Sequence, residues 1–191
     1  YVGIGTTTPQ EKVHVVNGAL LVDNPTNPRL MGVVNTSGDA LDVYVSGKYA
    51  YVADDAGGLK IIDVSDSTSP VLVGTFANLV SAKRVKVAGK FAYVADGLDG
   101  LKIIDISNPS YPILTGYLDT YNAIDVFVSG KFAYVADNDG GLRIIDVSNP
   151  TDPTLTGTYS VPNNLTGVYV SGKFAYVIDD TVGLRIIDVS K

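Results

Sequence analysis

The sequence predicts an all-β fold: a β-propeller of four four-stranded blades, with the last blade completed by an N-terminal strand. Three observations predict it. Four times in 191 residues the chain repeats nearly one string: GKYAYVADDAGGLKIIDVS, GKFAYVADGLDGLKIIDIS, GKFAYVADNDGGLRIIDVS and GKFAYVIDDTVGLRIIDVS. Its Gly-Lys pairs, at Gly47, Gly89, Gly130 and Gly172, stand 42, 41 and 42 residues apart, the length of a propeller blade. Of 20 acidic residues only Glu11 is a glutamate; Asp favours turns where Glu favours helix interiors, so the chain is rich in tight turns and poor in helix. Finally, each repeat divides into four short alternating or wholly apolar segments bounded by turn residues.

In the first repeat the segments are Leu41 to Val45, Lys48 to Ala53, Leu59 to Val64 and Val71 to Phe76. Ser-Gly-Lys separates the first two, and glycine supplies the positive φ of a two-residue hairpin turn. In the innermost segment Val43 and Val45, Val85 and Val87, Val126 and Val128, and Val168 and Val170 share one face. The opposite face carries Asp42, Arg84, Lys86 and Asp125 among larger apolar residues. These four polar residues either pair between neighbouring inner strands or form a polar site at the central channel. The second and third segments are joined by Asp- and Gly-rich turns, and Asp63, Asp105, Asp146 and Asp188 close the third. Recurrence in every copy assigns those aspartates to turns, since catalysis seldom needs one residue four times. Pro70, Pro112 and Pro153 precede the fourth segment, as suits an edge strand that gives up an N–H. Gly74, Gly116 and Gly157 follow four residues later, at a bulge or a close contact between blades.

The fourth repeat carries three segments up to Lys191, while Asn24 to Val34 lines up with Asn149 to Tyr159. Residues 28–36 are thus an orphan outer strand. The expectation is that Leu30 to Val34 pairs with Leu184 to Val189 and closes the ring; the rival is pairing between chains in a larger ring or fibre, because repeat interfaces are interchangeable. Residues 1–23 form an N-terminal extension or stalk-like segment. The propeller spans 24–191, with repeats at 38–80, 81–122, 123–164 and 165–191. A first residue Tyr1 in place of Met suggests a processed chain or an excerpt of a longer one.

Composition narrows the partners. The formal charge is −6 with no basic run, so nucleic acid is not an expected partner. No stretch reaches the ~18 to 20 apolar residues of a membrane span. There is no cysteine for a disulfide or a thiolate metal site. With one His and one Glu and no nucleophile elbow, phosphate loop or zinc spacing, no catalytic residue is expected. His14, flanked by valines, reads as a half-buried strand residue.

Two groups of residues remain as ligand candidates. Asp137 and Asp139, in Asp-Asn-Asp-Gly-Gly, resemble the start of a calcium loop, but no downstream acid completes it before Asp146, and a hairpin turn explains the string as well. No cofactor other than calcium is in view. Tyr51, Tyr93, Tyr134 and Tyr176 recur and are assigned to packing. Tyr111, Tyr117, Tyr121 and Tyr159 are irregular, fall on outer strands or loops, and are the binding candidates for a protein or glycan.

The repeated YVADxxGGLxIIDVSNPxxPxLxG resembles the LVIVD repeat family over residues 38 to 191. That resemblance implies an extracellular or cell-surface propeller with no particular activity. Residues 2 to 23, VGIGTTTPQEKVHVVNGALLVD, resemble a segment of phage tail fibres and bacterial surface proteins, which implies a displayed head on a larger fibre; the alternative is that Val13 to Val16 and Ala19 to Val22 are strands of a degenerate blade. Two functions follow as expectations: a non-enzymatic binding, adhesion or display module, or a structural subunit that self-associates through its terminal strands.

Overall fold

A computed structural model describes residues 28–161 and 164–190, and the backbone of two further strands, β1 (Val13–Val16) and β2 (Ala19–Val22). The chain divides into two compact units, Tyr1–Gly32 and Val33–Lys191. In the first, β1 and β2 pair as an antiparallel hairpin. The side chain of His14 and the segment 1–12 lie outside the described residues.

The second unit is built from four antiparallel sheets. The first blade holds β3 (Asp42–Ser46), β4 (Tyr49–Ala53), β5 (Leu59–Asp63) and β6 (Val71–Phe76). The second holds β7 (Arg84–Ala88), β8 (Phe91–Ala95), β9 (Leu101–Asp105) and β10 (Ile113–Leu118). In the third stand β11 (Ala123–Ser129), β12 (Phe132–Asp137), β13 (Gly141–Asp146) and β14 (Thr154–Tyr159). The fourth has β15 (Leu165–Ser171), β16 (Phe174–Asp179) and β17 (Gly183–Asp188). Within each sheet, strands pair in sequence order. The hairpin after each inner strand turns on Gly47, Gly89, Gly130 or Gly172, with φ between 57° and 59°; glycine at the first central position is the requirement of a type II′ turn.

The blades stack by one repeated contact. Tyr51, Ala53, Leu59 and Ile61 of the first blade pack on Val85, Ala92, Val94 and Ile104 of the second. Tyr93, Ala95, Leu101 and Ile103 then meet Val126, Ala133, Val135 and Ile145. Tyr134, Ala136 and Leu142 meet Val168, Val170, Ala175 and Val177. Burying each Leu or Ile contributes about 1.5–3 kcal/mol, so the cores lie between sheets and not within them. Each outer strand bulges, with a register shift beside Gly74, Gly116 and Gly157. A side chain at Gly74 would strike the Pro109 carbonyl of the next blade, and one at Gly116 the Pro150 carbonyl. Gly74 and Gly116 therefore mark both a bulge and a close blade contact, and Gly157 a bulge.

The sequence expectation of a closing strand is corrected. Residues 28–36 form no strand, and among the described residues β17 pairs with β16 alone, so the last sheet has three strands. The outward faces of the first and last blades stay open. Val43 and Val45 stay 57% and 61% exposed on one, and Leu184 and Ile186 57% and 59% exposed on the other. Residues 34–38 are instead held on the first blade. Thr36 Oγ1 and Gly38 N–H donate to the Asp54 carboxylate, Lys60 donates to Ser37 at 2.9 Å, and Val34 packs on Ala50, Val52 and Ile62.

Candidate binding face

Two ladders of charge account for most of the repeated polar residues. At one end of the blades, the lysine of each hairpin turn reaches the aspartate that ends the third strand: Lys48 to Asp63, Lys90 to Asp105, Lys131 to Asp146 and Lys173 to Asp188, at 2.9 to 3.6 Å. Each ammonium also lies about 5 Å from the ring of the aromatic residue that follows it. The aspartate then caps its own turn by accepting from the amide and hydroxyl of Ser65, Ser107 or Ser148. Those serine bonds, joined by the lysine charge, hold Asp63, Asp105 and Asp146 down to about 2.

At the opposite end stand Asp54, Asp96, Asp137 and Asp179, all buried. Asp137 and Asp179 end the second strand of their blades and Asp54 and Asp96 directly follow theirs, and in the first three blades the carboxylate accepts backbone N–H from the loop that enters the same blade. A basic residue of the third strand supports it: Lys60 lies 3.8 Å from Asp54, Arg143 3.1 Å from Asp137 and Arg185 2.7 Å from Asp179. Lys102 turns instead to Asp99, at 3.5 Å. Burial pushes the Asp96 carboxyl up against the pull of its two amide donors. The Arg185 hydrogen bond pulls Asp179 down.

Around the third of these anchors the loop forms a hollow. Asp137 takes the amides of Tyr121 and Asn122 as well as the Arg143 guanidinium. With its backbone fixed, Tyr121 leaves its ring 65% exposed, 5.2 Å from that guanidinium. Leu118, Asp119, Thr120, Tyr121, Arg143 and Leu155 line a hollow of about 320 Å³. Among the described residues Thr120 Oγ1 is buried without a hydrogen-bond partner, which costs free energy. A second hollow of about 610 Å³ shares Leu118 and Asp119 and adds Tyr117, Thr151 and Pro153. Lys102 lies 4.7 Å from the Tyr117 ring. Aromatic faces, a fixed cation, a carboxylate and hydroxyls therefore converge on one rim of the second and third blades.

Tyr117 and Tyr121 line two different hollows that share Leu118 and Asp119, and the other two tyrosines lie elsewhere. Tyr111 lies before the start of β10, at the end opposite Tyr117. Tyr159 lines a different hollow, between the third and fourth blades. Asp137 is an anchor with three donors, and Asp139 is exposed. Among the described residues no three His, Cys, Asp or Glu side chains cluster as metal ligands would. The four inner-strand polar residues stitch neighbours together: Lys86 lies 3.4 Å from Asp42, and Asp42 accepts the Val85 amide. Arg84 donates to the Leu41 carbonyl, and Asp125 accepts the Val168 amide. Burial pushes the Asp125 carboxyl up, while Lys86 and Arg84 oppose that shift.

Sequence reasoning missed Arg143, Thr120 and Asp119. Arg143 hid in the repeat, at the position of Lys60, Lys102 and Arg185. The one signal was the loop itself, where Tyr121 breaks the pattern of its counterparts.

A family model described as LVIVD repeat matches four times, at residues 37–78, 81–120, 122–161 and 164–191. No curated protein matches the chain. Among solved structures, the computationally designed Ika4 protein is similar with a TM-score of 0.70 and 11% identity, over 86% of this chain and all of that one. The computationally designed Ika8 protein gives a TM-score of 0.66 and 10% identity over 80% of this chain and 46% of its own. A candidate 6-phosphogluconolactonase from Bacteroides uniformis gives 0.65 and 20% identity over 78% and 50%. The chain thus spans about half the length of the last two, and at these identities the likeness is one of fold.

Proposed function

The chain belongs to the LVIVD repeat family, and from that premise we propose that it is a non-enzymatic binding module, extracellular or displayed at a cell surface, that takes a glycan on the rim of its second and third blades. The observation that carries this reading is the hollow at Tyr121. One tyrosine ring is exposed for stacking, and Arg143 is fixed beside it. Sugars suit such a place because they offer an apolar ring face together with hydroxyls that donate and accept. Tyr117 and Asp119 extend the surface to a second residue of a chain.

The non-enzymatic reading is supported by the division of labour among the carboxylates. Asp54, Asp96, Asp137 and Asp179 anchor loops or basic residues, and Asp63, Asp105, Asp146 and Asp188 cap turns. Each is committed to structure.

Binding of the chain to a glycan array tests the proposal. The expected result is retention of a defined sugar class, weakened at least tenfold by Tyr121→Ala and less by Tyr117→Ala, with the melting temperature unchanged because both rings are exposed. Equal binding by both variants and the parent would refute it.

A further inference from the structure

We propose that residues 28–34 of one copy of this chain form the outer strand of the last blade of a second copy, so that each copy's last blade stacks on the other's first. The claim is independent of the glycan hollow, and it starts from β17. Among the described residues that strand's outer edge is unpaired, and it carries an exposed apolar face with Leu184 and Ile186, a combination that soluble sheets avoid or cover. Beside it lies a hollow of about 600 Å³, lined by residues that include Tyr134, Ile144, Gly157, Ile187 and Val189. In the first two interfaces a side chain at the corresponding glycine would strike a proline carbonyl of the next blade, but a Cβ at Gly157 would meet only Ile144 of its own blade, at 3.4 Å. Among the described residues the last blade has no outer strand like those of the others.

The chain carries a segment that matches this gap. Pro28 to Val34 aligns with Pro153 to Tyr159, glycine on glycine. The register of the third blade, where Asp146 pairs with Thr154 and Ile144 with Gly157, transfers to Asp188 opposite Arg29 and Ile186 opposite Gly32. Charge agrees with that register. The Arg29 guanidinium meets only the Met31 sulfur, at 3.2 Å, among the described residues, and the Asp188 side chain is half exposed. An opposite-charge pair placed directly across two strands is stabilising. Leu30 and Val33, both more than 70% exposed, would gain cover.

The occupant is a second copy because residues 34–38 are fixed to their own first blade through Asp54, Lys60 and Val34, and three interfaces separate that blade from the last. The faces are complementary in kind. Val43 and Val45 repeat the valines that cover the preceding blade at every internal interface, whereas Leu184 and Ile186 repeat the residues that are covered there. Each copy offers one face of each kind, so two head-to-tail contacts close the assembly.

Sedimentation of the 191-residue chain across the micromolar range tests this. A dimer is expected, and Ile186→Asp and Leu30→Asp are each expected to return a monomer with unchanged β-sheet circular dichroism, since both positions are exposed in the single chain. A chain that stays monomeric overturns the proposal, as does a dimer indifferent to both variants. Because the chain has no cysteine, Arg29→Cys and Asp188→Cys variants can be mixed and oxidised. A disulfide between the two different variants is expected. Its absence, or a disulfide formed within one chain of the double variant Arg29→Cys/Asp188→Cys, assigns the strand elsewhere and overturns the proposal.

Discussion

The third and fourth blades contain one identical string, Gly-Leu-Arg-Ile-Ile-Asp-Val-Ser, at 141–148 and 183–190, in two different surroundings. Leu142 is fully buried and its twin Leu184 is 57% exposed. Arg143 stacks near Tyr121 and lines a hollow, whereas Arg185 pairs with buried Asp179 while its own side chain is 31% exposed, against 15% for Arg143. Local sequence sets strand, turn and charge pair alike in both. Burial, and with it most of the stability, comes from the blade that follows.

The sharpest way to break this equivalence is at the anchors. Asp137→Ala leaves Arg143 and two loop amides without their acceptor in a buried site, and the expected cost is about 3–5 kcal/mol by chemical denaturation. The same change at Asp179 is expected to cost less, because Arg185 can turn to water. A comparable effect of the two would show that the following blade does not matter. Next come the leucines: Leu142→Ala should cost about 2–5 kcal/mol through a cavity between blades. Leu184→Ala should cost within about 0.5 kcal/mol at dilutions that keep chains apart.

Smaller effects sharpen the comparison at the outer strands. Gly116→Ala drives a methyl group into the Pro150 carbonyl and is expected to cost about 1–3 kcal/mol, the range of overpacking. Gly157→Ala meets only its own Ile144 at 3.4 Å and should lie within about 0.5 kcal/mol; melting curves of the pair decide. The smallest effect is titration. Asp63, Asp105 and Asp146 are held near 2 in the folded chain against about 3.9 unfolded. Their contribution is therefore complete above about pH 4 and lost as pH falls toward 2. Melting temperature measured through that window should fall, and less steeply for a variant with Ser65, Ser107 and Ser148 changed to Ala, since the serine hydroxyls are the first cause of the depression.

Much of this architecture was legible. The Gly-Lys turns, the proline before each outer strand and the glycine at each bulge specify strands and corners through backbone geometry alone, which acts locally. The irregular tyrosines pointed to the rim because exposure follows from breaking a packing period, and two of the four share it. Thr120 and Asp119 were illegible: a threonine hydroxyl becomes conspicuous only when surrounding atoms bury it without a partner. Arg143 was hidden for a related reason, since its repeat position reads as framework.

By itself the sequence determined four β units, their order, their turns and the two recurring sets of aspartates, because all of these depend on residues near one another in the chain. Only the tertiary structure decided that residues 28–36 have no strand partner among the described residues, that the first and last blades keep their apolar faces open, and that identical strings serve as core in one place and surface in another. The reason is physical: hydrogen-bonded strands and turns are set by local dihedrals and short-range bonds, whereas burial depends on the angle between blades, a property of the stacked whole.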